Sequence, residues 1–246
     1  MLAFAGIPPD QGAAELAGIQ GRCSFAWHTG AMDRSFFLPD AVDVAPQLLG
    51  AILEVDSPEG AVGVRITETE AYMGVGTAGR YDPGSHSKDR KTQRNASMFL
   101  EAGHAYVYFS YGMHFALNLV CSPADTASGV LVRAGQVVDG VALAAARRHA
   151  KRPQQEGASP LKEPQLARGP GNLATALGIT REAHDGRDLF AAPFRIFRPE
   201  QPAQDIMAGP RVGVAGVAGG PEFPWRFWLP GEPSVSAFRP GRNAPR

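Results

Sequence analysis

The chain has 246 residues, 44% of them hydrophobic, and its 24 basic side chains balance 24 acidic ones. That length supports a full core and sits at the upper end of one domain, which excludes a small scaffold held by disulfides or metal. Two cysteines, Cys23 and Cys121, leave at most one bridge, exclude a multi-cysteine zinc site and fit a reducing cytosol.

No stretch is long and apolar enough to span a bilayer, and Met1 to Ile7 lacks the basic flank of a signal peptide. Residues 1–31, rich in Gly, Ala and Pro, read as a flexible extension, so the folded domain is expected over 32–238 with a mobile tail at 239–246. Apolar residues at helical spacing predict a helix from Asp40 to Leu49, and Ala51 to Val55 reads as a strand closed by the turn Ser57-Pro58-Glu59-Gly60. In the next strand Val62, Val64, Ile66, Glu68, Glu70 and Tyr72 share one face at period two. An apolar face thus runs into two carboxylates, which is costly unless they act or pair with a buried arginine.

Residues 73–95 form a long polar loop, of a length that in a compact domain points to function. Ala105–Ser110 and His114–Cys121 are β-prone runs around Tyr111-Gly112-Met113, which predicts a hairpin with Tyr111 and Met113 at an exposed tip. Gly129–Ala134 reads as a strand carrying Arg133, and Val141–His149 as an amphipathic helix. Residues 153–171 form a surface connection, and Gly169-Pro170-Gly171-Asn172 opens a helix whose free N–H groups suit a phosphate. Arg211-Val212-Gly213-Val214 looks like the start of a strand, and Trp225 to Leu229 like a core or edge strand.

The distribution of residue types narrows the function. All five tyrosines fall between Tyr72 and Tyr111, directly after Glu68 and Glu70 and around His86 and His104. Ring faces, carboxylates and imidazoles gathered this way suit a pocket that stacks a flat ring and moves a proton beside it. Residues 1–60 carry eight acids against two bases, so the tyrosine window lies in the basic remainder. Basic groups beside stacking rings fit a nucleic acid, or else a solvated surface balanced by the acidic first part.

Several motifs in a fixed order then carry a resemblance. Arg65-Ile66-Thr67-Glu68-Thr69-Glu70-Ala71-Tyr72, Thr92-Gln93-Arg94-Asn95-Ala96-Ser97-Met98-Phe99 and Tyr106 to Met113 followed by Asn118 resemble the 3-methyladenine DNA glycosylases of the alkyladenine (methylpurine) type. Gly129 to Ala134, Gly169 to Leu173 and Arg211 to Val214 continue that order, so the match runs from about Asp33 to about Ser236. The resemblance implies a mixed α/β domain with a curved, largely antiparallel sheet, helices around it and a protruding hairpin. It also implies a monomer that works on duplex DNA with damaged purines, without metal or organic cofactor. The reaction is removal of a flipped purine by hydrolysis of its N-glycosidic bond.

By the same pattern Tyr72 and Tyr108 sandwich the base, His86 meets its edge, and Asn118 obstructs the 2-amino group of guanine. Glu70 is the general base, while Arg133 and the carbonyl of Val212 position the attacking water. Tyr111 fills the space of the extruded base. Met113, Thr92, Arg94, Met98 and Gly171 meet the duplex or its backbone, with an Arg94–Glu101 pair as the alternative for Arg94. Glu68 is structural, Tyr106 is core or sheet surface, and His104 and His114 are solvent-exposed bystanders. Neither Lys88 nor Lys91 matches a Schiff-base nucleophile. Two rivals stay open: a non-enzymatic binder of damaged DNA that keeps the wedge, and a glycoside hydrolase using Glu68 and Glu70 as paired acids.

Overall fold

A computed structural model describes residues 30–110, 112–152, 159–199 and 201–245. Residues 1–29 of the expected extension, Cys23 among them, and the wedge residue Tyr111 lie outside the described residues.

Among the described residues, eight strands form one antiparallel sheet: β1 (Ile52–Ser57), β2 (Gly60–Met73), β3 (Ala105–Ser110), β4 (His114–Val120), β5 (Ser128–Asp139), β6 (Phe194–Phe197), β7 (Met207–Gly209) and β8 (Arg226–Trp228). Their order is β3-β4-β5-β2-β1-β6. The long β2 changes partner along one edge: residues 60–65 pair with β1, whereas Glu68–Glu70 pair with β8, which in turn pairs with β7. Helices α1 (Ala41–Gln47), α2 (Val141–Ala150), α3 (Pro170–Leu177) and α4 (Arg181–His184) surround this curved sheet. Pro170 occupies the first turn of α3, where no N–H is needed, and Gly178 at φ +73° ends it.

Alternation along the strands separates core from site. In β4, Leu117 and Leu119 are fully buried in the main core with Leu173 and Leu177 of α3, each contributing roughly 1.5–3 kcal/mol by leaving water. Asn118 between them points to the opposite face. Val107 in β3, Val130 and Val132 in β5, and Ala71 and Met73 in β2 join the same core. Tyr106 pairs with Asn118, Asn118 with Leu131 and Leu131 with Glu70. These four residues make one row across four strands.

The period-two reading of β2 needs a correction. Opposite β5, Ile66 pairs with Gly135, Glu68 with Ala134 and Thr69 with Val132, so Thr67 and Arg133 are each an extra residue in the ladder. The strand therefore changes face at Thr67. Val62, Val64 and Ile66 lie in the core before it and Ala71 and Met73 after it, while Thr69 Oγ1 donates to Ala45 O of α1 at 2.9 Å. Glu68, Glu70 and Tyr72 thus leave the face that Ile66 occupies.

Two further segments differ from expectation. Arg211–Val214 is a turn, not a strand, with Gly213 in the left-handed region at φ +72°, outside regular strand geometry. Residues 239–245, expected as a tail, run back against this turn, where Gly213 N and Gly216 N donate to Arg239 O and Arg242 O at 2.8 and 2.9 Å. The hairpin forms where expected: Ser110 pairs with His114 across residues 111–113, with Gly112 at φ +68°. Cys121 is a free, buried thiol, and no helix among the described residues is long and apolar enough to cross a membrane.

Candidate active site

The sheet row floors a cavity of about 500 Å³. Glu70, Tyr72, Tyr106, Tyr108, Asn118 and Arg133 reach it from the strands, His86 and Arg94 from the 74–95 loop, and Val212 from the turn before residue 215. Sequence motifs far apart in the chain therefore meet at one hollow.

Glu70 is fully buried, and each of its oxygens is held. Val212 N donates to Oε1 at 2.7 Å; Tyr72 Oη donates to Oε2 at 2.9 Å, with Arg133 Nη1 at 3.5 Å from the same oxygen. The contact from the turn is thus made by the Val212 amide. A carboxylate oxygen has two lone pairs, so one hydrogen bond to each atom leaves acceptor capacity unused. Burial first, and the Glu70 charge next, raise the Tyr72 phenol well above its ordinary range, which keeps it a donor.

Glu68 faces a different environment. It is also fully buried, but Arg226 Nε (2.7 Å), Ser236 Oγ (2.9 Å) and Arg133 Nε (3.1 Å) crowd Oε1, and Ser236 N donates to Oε2 at 2.8 Å. It does not line the cavity. Arg133 bridges the two acids and also donates from Nε to Ser236 Oγ at 3.0 Å. Residues 67–70 are all fully buried, so both acids lie on an interior stretch of the strand.

His86 lies at the mouth of the cavity, exposed, with its ring edge-on to Tyr108 at 4.6 Å between centroids. Loss of water around the ring, then the Arg94 charge, push its imidazole below the usual 6.5. Its Nδ1 is 3.4 Å from Tyr106 Oη. Tyr106, expected as core or sheet surface, is buried in a small core cluster and also lines the cavity, because it alternates with Val107 onto the Asn118 face. Asn118 Nδ2 donates back to Tyr106 O at 3.1 Å.

The residues expected to meet DNA divide. Met113 is 67% exposed at the hairpin tip, and exposed Arg94 reaches Phe109 O at 3.5 Å. Glu101 lies 3.8 Å from Arg34, so the alternative Arg94–Glu101 pair is not made. Met98 is buried as a whole residue, with its side chain against Ser87 Oγ and in the cavity wall. The backbone N and Oγ1 of Thr92 are both tied to Asn95 Oδ1. Gly171 packs under His114, whose Cγ would stand 2.7 Å from an added Cβ.

With this geometry in place, comparison with known proteins is decisive. The family model for methylpurine-DNA glycosylase matches residues 35–233. The chain belongs to that family. Proteins carrying the provisional name 3-methyladenine DNA glycosylase align with it over most of both lengths. One from Leifsonia xyli is 51% identical over 84% of this chain and 92% of its own, and one from Nocardia farcinica is 46% identical over 84% and 91%. One from Streptomyces avermitilis is 43% identical over 85% and 92%. Membership in the methylpurine-DNA glycosylase family agrees with the mixed α/β fold described above. Among the described residues no cluster of His, Cys, Asp or Glu has the makings of a metal site.

Proposed function

We propose that this protein is a monofunctional glycosylase that excises alkylated or deaminated purines from duplex DNA, such as 3-methyladenine, hypoxanthine and ethenoadenine. The observation that carries the reading is Glu70, fully buried at the floor of a cavity of about 500 Å³ and fixed by the Val212 amide, Tyr72 and Arg133. A buried, oriented carboxylate under tyrosine rings fits general-base attack beside a stacked base.

In this mechanism the nucleotide swings out of the helix and its purine stacks between Tyr72 and Tyr108, while Tyr111, with Met113 beside it, fills the gap. Water hydrogen-bonded to Glu70 attacks C1′. The C1′–N9 bond breaks with its electron pair leaving on the purine, and the water proton passes to Glu70. Carboxylate charge also stabilises the oxocarbenium-like transition state, and the products are a free base and an abasic site. His86, held neutral at its edge, hydrogen-bonds the departing base, and Asn118 stands against the 2-amino group of guanine. Arg94, Thr92 and the start of α3 at Gly171 steady the DNA backbone.

The test is a duplex with a single hypoxanthine or 1,N6-ethenoadenine, incubated with protein and then treated with alkali. Cleavage at the lesion by wild type and none by Glu70→Gln supports excision. Tight binding by both without release sinks the enzyme reading and leaves a damage-binding protein.

A further inference from the structure

The most deeply buried cation in the described residues takes no part in the chemistry above. Arg211 and Asp82 are both fully buried and lie 129 residues apart in the chain. Their pairing is a fork: Nη1 to Oδ2 at 2.7 Å and Nη2 to Oδ1 at 2.6 Å, with Ala71 O and Ala218 O each accepting one further bond at 2.9 and 3.1 Å and Nε left without a partner among the described residues. Such a pair adds little net stability over apolar side chains of the same volume. What it fixes is geometry.

Three parts of the site converge on this pair. The guanidinium carbon lies 4.5 Å from the Tyr72 ring centroid, and since Arg211 does not line the cavity, it covers the ring face turned away from it. The next residue, Val212, delivers the amide that holds Glu70 Oε1. Asp82 also accepts from Met73 N and Gly84 N at 3.2 and 2.9 Å, anchoring the loop that leads to His86. Gly84 admits the guanidinium: a Cβ there would stand 2.8 Å from Arg211 Nη2.

We propose that Arg211, clamped by Asp82, is a positioning residue for excision, setting the plane of Tyr72 and the placement of the Val212 amide against Glu70 with one guanidinium. The inference rests on the glycosylase function proposed above. Lysine cannot replace it, because an ammonium is a point charge that offers neither the planar stack nor the two-pronged bond.

The experiment compares full-length wild type, Arg211→Lys and Gly84→Ala on duplex DNA containing 1,N6-ethenoadenine. It measures thermal unfolding, duplex affinity, emission of the bound etheno base and single-turnover excision. A displaced wall and amide should slow excision by about 10²-fold in Arg211→Lys while duplex affinity holds. Bound-state emission should brighten, since stacking on Tyr72 quenches it. Gly84→Ala, which keeps the pair but pushes on it, should show the same changes to a lesser degree and serves if Arg211→Lys does not fold. A folded variant with unchanged excision and emission overturns the inference while wild-type activity leaves the function standing. A wild type inactive on every lesion refutes the function and this inference with it.

Discussion

Two carboxylates two residues apart on β2, both fully buried, have opposite fates. Glu68 is surrounded by two arginines, a hydroxyl and an amide, and does not reach the cavity. Glu70 is held by an amide, a phenol and the far end of Arg133, and it lines the hollow. Burial alone therefore does not mark a working acid. The difference is whether acceptor capacity is left over on a residue that lines the cavity.

The sharpest way to break this contrast is Glu70→Gln, which should lower single-turnover excision by about 10²–10⁴-fold with folding retained. Comparable activity would move the chemistry elsewhere. Glu68→Leu should do the reverse, costing about 3–5 kcal/mol in chemical denaturation, because Arg133 and Arg226 lose their buried anion. If Glu68→Leu were as stable as wild type, the network would be ornamental. Ser236→Ala removes one donor from Glu68 and one acceptor from Arg133, and should cost about 1–3 kcal/mol with little change in excision.

The smallest effect belongs to the rim, where His86 is exposed and titrates. Its folded pKa lies below 6.5, so protons bind the unfolded chain more readily. Its contribution is whole above pH 6.5 and is lost as pH falls through the lower folded value. NMR titration of the ring should give a midpoint below 6.5, and a midpoint above it would refute the neutral-edge role.

Much of the site was legible because each wall strand carries its own motif, and antiparallel pairing places Tyr106, Asn118, Leu131 and Glu70 in one row. The face change at Thr67 was not, since a period-two pattern cannot report an extra residue. It made Glu68 and Glu70 look like a continuation of the Val62-Val64-Ile66 face. Tyr106 was read as core or sheet surface and its place in the cavity lining was missed, because apolar alternation does not tell a core face from a cavity face. Arg211 was hidden for another reason: its partner Asp82 is distant in the chain, and the alternating Val212 and Val214 made a turn resemble a strand.

The extra residue at Thr67 makes chain length itself a chemical variable. Were Thr67 paired as an ordinary strand residue instead of bulging, the end of β2 would rotate by half a turn. Two acids would then point at Ala45 and α1, and the methyl groups of Ala71 and Met73 would point into the hollow. Loops elsewhere on such a domain accommodate insertions and deletions, but this strand counts its residues, and its chemistry depends on the count.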